Sequence, residues 1–219
     1  LDLLRLLERA LRRTGMPVSF TGGFHPLPRL QVALALPLGV EGQGEWLDLE
    51  FIEPVDPAVV RACLQAELPP GLQLLSAAVV PTFGPSLSQE LAAAHWRLTL
   101  AWATPIRQEQ LAAALADLQA AEELIWQDTD KKGRPRQRDC RPSLLDVHLT
   151  GPAACVPPAT ALGSAELVLE AAVDEAGRSL RPSQLAHWLE ERLLQPLQLG
   201  WQCRSCLVLR DSLAAELPC

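Results

Sequence analysis

Residues 20–29 read FTGGFHPLPR and gather the groups best suited to ligand chemistry. Gly22 and Gly23 let the backbone take a positive φ or approach a ligand closely. Pro26 and Pro28 fix their own φ and push His25 and Leu27 toward extended conformations. His25 then stands on a stiffened loop, with Phe24 before it and Arg29 nearby. A neutral imidazole can act as a base, and a guanidinium can hold phosphate. The same mixture also makes an ordinary rigid turn whose histidine forms one local hydrogen bond. A lone histidine without a positioned partner is a poor catalyst. His25 is therefore read as a contact residue first and as a candidate base second.

Three further constellations have chemical potential. In KKGRPRQRDCR (131–141), Lys131, Lys132, Arg134, Arg136, Arg138 and Arg141 stand against Asp139 alone. Gly133 and Pro135 are expected to keep this stretch out of regular structure, as an exposed arm or hairpin tip. Such runs grip phosphate backbones or simply solubilise an acidic protein. Arg5, Arg9, Arg12 and Arg13 fall on one side of an amphipathic N-terminal segment, where they form either a solvated face or a phosphate-facing surface. Cys203 and Cys206 form a Cys-x-x-Cys pair. A structural zinc site usually needs two such pairs, and in a strand these positions face opposite sides. Trp126 and Trp201 are stacking surfaces or core residues. The P-loop, the dinucleotide fingerprint, HExxH, G-x-S-x-G and the Cys-x3-Cys-x2-Cys cluster triplet do not occur.

The elements that must hold these residues follow from periodicity. Leu3, Leu4, Leu7 and Leu11 recur at helical spacing, Gly15 is a natural C-cap, and Pro17 stops continuation. Residues 30–38 and 45–53 read as strands joined by a hairpin connection at 39–44. Asp56-Pro57 is an N-cap followed by an N1 proline, and its helix ends at Pro69-Pro70. Residues 72–80 read as the next strand, and a short helix is expected after Ser86. The second half gives a strand at 95–102 and a helix from Thr104-Pro105 to Ala121. A strand at 123–129 or 143–150 follows, then one at 165–173, a helix from Pro182, and a strand at 200–210.

This order predicts an α+β chain of two tandem ferredoxin-like (βαββαβ) units, the first lacking its N-terminal strand. The expected division is 1–81, a connector at 82–94, 95–211, and a tail at 212–219. The missing strand is expected upstream of Leu1, because its absence would leave two rows of backbone groups unpaired. Of the 219 residues, 48% are hydrophobic, enough for a substantial core. A net charge of −7 argues against wholesale coating of nucleic acid but not against local basic patches. With no membrane-length apolar run and no signal-peptide pattern, a cytoplasmic location is expected. The six cysteines are then read as thiols.

The stretch LDLLRLLERALRRTGMPVSFTGGFHPLPRLQVALALPLGVEGQGEWLDLEF (1–51) resembles the radical SAM-linked family of bacterial domains. The pattern is an LDLxRxxERALRR helix, then GFHPxPR, then LPLGVxxxxExLDLE. RDCRPSLLDVHL resembles the family's second, weaker motif. Where the family commonly has GFHPHP, this chain has Leu27, so a two-histidine metal or acid–base pair is unavailable. The resemblance implies a partner, fused or encoded alongside, that carries an iron–sulfur cluster and S-adenosylmethionine and, in the cobalamin-binding type, cobalamin. It also implies RNA modification or processing. In that reading this chain contributes no cofactor of its own. It binds structured RNA through Gly22, Gly23, Phe24, His25, Pro26, Arg29, the four helix arginines and the 131–141 arm. Two rivals stand beside it: an endoribonuclease with His25 as base, and a protein-docking domain that never touches nucleic acid.

Overall fold

The computed structural model describes residues 2–81, 83–129, 132–151 and 161–210. Lys131, the tail and the segment 152–160 lie outside the described residues. The first half comprises α1 (Asp2–Thr14), β1 (Leu30–Val32), β2 (Glu41–Gly42), β3 (Leu47–Leu49) and α2 (Pro57–Glu67). The second comprises β4 (Leu91–Trp102), α3 (Gln108–Ala120), β5 (Ile125–Thr129), β6 (Pro135–Asp139), β7 (Leu144–Gly151), β8 (Gly163–Ala172), α4 (Pro182–Leu193) and β9 (Gln198–Leu209).

The α+β class expected from the sequence is the one observed. The main sheet has the order β2-β9-β4-β8-β7. Its last four strands are antiparallel neighbours, and the first of them in the chain, β4, lies between β9 and β8. With α3 and α4 this is a split βαβ connectivity. Trp96, Leu98, Leu100, Leu167 and Leu169 pack with Leu111, Leu115, Leu118, Leu185 and Leu189 of the helices in one buried core. The strand alternation turns His95 and Arg97 to the opposite face.

The first half departs from the expected repeat. Its strands at 30–38 and 45–53 contract to β1 and β3, a two-stranded antiparallel sheet. Residues 72–80 form no strand. Leu74 seats on the small core made by Ala10, Leu11, Val18 and Leu64, whereas Leu75 and Val79 are exposed. The segment is held along α2 by side chains instead: Gln65 bonds Leu72 O and Leu74 N, and Arg61 donates to Leu75 O at 3.2 Å. The expected 39–44 connection contains β2, which pairs in parallel with β9 of the other half. Apolar alternation alone cannot distinguish a paired strand from an extended one, because pairing depends on what lies beside it.

Smaller expectations also shift. Helix α3 starts at Gln108 rather than at Pro105, where Gln110 Oε1 accepts the Arg107 N–H. After Ser86 there is a turn, not a helix. The first strand of the second half begins at Leu91, inside the expected connector. The 123–129 and 143–150 segments are both strands, the former pairing with β6 in a separate hairpin. The 131–141 run thus lies on a hairpin, one of the two expected arrangements, but its 135–139 stretch is a regular strand, which corrects the expectation of no regular structure there. Pro135 is tolerated because it is the first residue of its strand, and Gly133 at φ +75° makes the turn.

No described helix is long and apolar enough to cross a membrane.

Candidate nucleic-acid interface

The loop of the first half is a tight, braced hairpin. Phe20 and Pro28 form an antiparallel bridge. Thr21 N donates to Leu27 O at 2.9 Å, Leu27 N donates to Thr21 Oγ1 at 3.0 Å, and Arg29 N donates to Ser19 O at 2.8 Å. Gly23 sits at φ +106°, a conformation that other residues adopt only with strain. Pro28 is buried at the base. At the tip, Phe24 is completely exposed, and His25 beside it is also exposed. No described side chain hydrogen-bonds the His25 ring, so nothing orients it as a base.

Helix α1 braces this hairpin from below. Arg12 donates to Pro26 O at 2.6 Å and lies 5.1 Å over the Phe20 ring. Arg5 and Arg9 share its face at i, i+4 and i+7 and are exposed. Arg13 turns away to α2, where it pairs with Glu67 at 2.6 Å and donates to the Glu67 carbonyl at 2.8 Å. It thereby satisfies a helix C-terminus rather than joining the stripe. Arg29 lies 3.4 Å from Glu50 and stays half exposed.

The second basic group is on the β5–β6 hairpin. Lys132, Arg134 and Arg136 are exposed, and Arg138 is half-buried. Arg136 and Arg138 stand directly opposite Asp128 and Trp126, so they share a face with Trp126. Trp126 packs edge-on against His187 and Trp188 of α4, with ring centroids 5.3 and 6.1 Å away. It anchors the hairpin to α4. Trp201 lies under Arg97, 5.5 Å from its guanidinium.

Arg141 corrects the phosphate-arm expectation. Its guanidinium donates to Ala121 O, Gln119 O and Leu144 O at 2.8–2.9 Å. These include carbonyls that the end of α3 leaves without helical partners. Arg141 therefore clamps α3 to β7. Asp139 works beside it, accepting the N–H groups of Leu124 and Arg141 at 2.9 Å each. Those two backbone donors, with a smaller contribution from the Arg141 charge, hold its carboxyl below the usual range. A carboxyl depressed in the folded state contributes stability above its unfolded value of about 3.9, lost as pH falls through the folded value. Asp139→Asn should accordingly flatten the loss of stability as pH falls below about 4, measured by urea unfolding across acidic pH.

Cys203 is buried, Cys206 half-buried. Burial, then the Glu41 carboxylate, pushes the Cys203 thiol up, with Arg97 opposing. That disfavours the thiolate needed for metal or redox chemistry. Among the described residues, no three His, Cys, Asp or Glu side chains gather as a metal site.

Sequence reasoning missed Arg204. It is 1% exposed, ion-paired with Glu45, and donates to Leu34 O at 2.7 Å and Ala35 O at 3.2 Å. It lies 5.5 Å from the Trp96 ring. A single charged residue in an otherwise uncharged strand is the signal that the sequence carries.

The fold and its two exposed basic elements define an α+β domain built around a split βαβ sheet, with a braced loop presented from its smaller half. The chain belongs to the bacterial family described as "Uncharacterized protein conserved in bacteria (DUF2344)", which matches residues 1–182. No curated protein matches it. Among solved structures it is similar to a chain of the "Crystal Structure of a Cbf5-Nop10-Gar1 Complex", with a TM-score of 0.53 and 9% identity. The match covers 94% of this chain and 44% of that one, so this chain spans less than half of its length. At that identity the likeness is one of fold alone.

Proposed function

We propose that this chain is the substrate-binding accessory domain of a radical SAM enzyme, and that its substrate is structured RNA. The observation that carries the RNA reading is the braced hairpin, which presents Phe24 and His25 beside the Arg5–Arg9–Arg12 face of α1. Lys132, Arg134 and Arg136 supply a second set of exposed cations. Arg13 and Arg141 drop out of the contact set, since both are committed to helix ends, and Arg12 serves chiefly to brace the hairpin, which leaves Arg5 and Arg9 as the outward cations of α1. The radical SAM partner is supported by the resemblance of residues 1–51 and of RDCRPSLLDVHL. In this reading the chain binds and orients, and the reactive chemistry belongs to the partner.

The test is binding of total tRNA across a salt series. Affinity should fall steeply with salt, and replacing Lys132, Arg134 and Arg136 with alanine should make the log–log slope shallower by roughly 2, at about 0.7 per single-strand phosphate contact. Negligible affinity at low salt would favour a protein-docking domain. Site-specific cleavage abolished by His25→Ala would favour an endoribonuclease.

A further inference from the structure

Phe24 is 102% exposed, so its ring touches nothing in its own chain. Yet the backbone beneath it is ordered by the Phe20–Pro28 bridge, the Thr21–Leu27 pair and the Arg12 bond to Pro26. A ring held out on a fixed backbone costs a partner little further ordering. A row of cations lies along α1 below the hairpin. Arg12 lies under the hairpin, and Arg5 is seven residues back along α1, about 10 Å at 1.5 Å per residue.

An exposed aromatic face beside a file of guanidinium groups suits a single nucleic-acid strand. Bases stack on the ring while phosphates pair with the cations. Paired bases in a duplex are already stacked and cannot offer a free face, whereas loops, bulges and ends can. Phe20 and Leu27 are also exposed on the hairpin, at 39% and 46%, but the arginine face of α1 beneath it favours a phosphate-bearing partner over an uncharged protein hot spot. We infer that Phe24 stacks on an unpaired nucleobase, so the domain recognises its RNA at a single-stranded position. This rests on the RNA reading above and specifies what that site selects.

The experiment compares a fluorescein-labelled 12-nucleotide oligouridylate with the fully paired 12-base-pair RNA duplex, by anisotropy at low salt. The unaltered chain binds the single strand more tightly. Phe24→Ala should weaken single-strand binding roughly 5- to 150-fold, the range for one stacked base, and change duplex binding little. Phe24→Trp should restore it. Since the ring touches no other residue, denaturant unfolding of Phe24→Ala should match that of the unaltered chain. If salt-dependent RNA binding persists but Phe24→Ala leaves the single-strand affinity unchanged, the stacking inference is overturned and the RNA reading stands. If the unaltered chain binds neither probe, the RNA reading falls and the inference with it.

Discussion

Arg204→Met should lower the unfolding free energy by about 3–5 kcal/mol, the cost of taking a buried cation away from one carboxylate and two carbonyls at once. For a chain of this size that corresponds to roughly 6–20 °C in Tm. The guanidinium engages the Glu45 carboxylate and the carbonyls of Leu34 and Ala35, all from the first half, while sitting in β9 of the second. Removing it leaves two carbonyls without a donor and a partly exposed carboxylate without its cation. The double variant Glu45→Met, Arg204→Met should recover part of the loss, because well-packed apolar residues can replace a buried pair at little cost. Equilibrium urea unfolding of the two singles and the double measures the coupling. A loss below about 1 kcal/mol for Arg204→Met would mean that the ion pair does not hold the halves together.

The second large effect is expected at Arg141. Arg141→Ala should cost about 2–4 kcal/mol, since three charge-assisted bonds to carbonyls disappear at once from a half-buried site. Lysine should rescue poorly, because its point charge cannot reproduce the planar fork. The readouts separate this residue from its neighbours in the same basic run. Arg141→Ala should change stability and leave the RNA affinity of the folded protein intact. Arg136→Ala should do the reverse. If Arg141→Ala instead weakens RNA binding with no change in urea midpoint, the clamp role is wrong.

What the sequence disclosed was mostly local. The leucine spacing of α1, the positive-φ cap at Gly15 and the Asp56 cap, whose Oδ1 accepts the Ala58 N–H at 2.8 Å, are all set by residues a few positions apart. The rigid loop was legible for the same reason, since glycines and prolines dictate backbone directly. The misses were decisions made at long range. Residues 72–80 have strand composition, but a strand exists only where a neighbour pairs with it. The arginines of α1 and of the 131–141 run are alike in sequence. Arg13 and Arg141 were assigned structural roles by helix ends 54 and 20 to 22 residues away, while Arg5, Arg9 and Arg136 stayed on the surface. Charge patterning finds a basic run, but tertiary contacts decide which of its members are committed to the fold.

The parallel pairing of Glu41 with Cys203 has a consequence for how the protein is made. Glu45 and Arg204 are 159 residues apart, and translation at about 5–20 residues per second leaves roughly 8–30 s between their appearance. During that interval Trp46, whose Nε1 donates to Leu207 O at 2.9 Å in the finished protein, has no acceptor in β9. Strand β9 thus docks the two halves, and a nascent chain stalled before it would present the apolar residues 33–38 to chaperones and proteases.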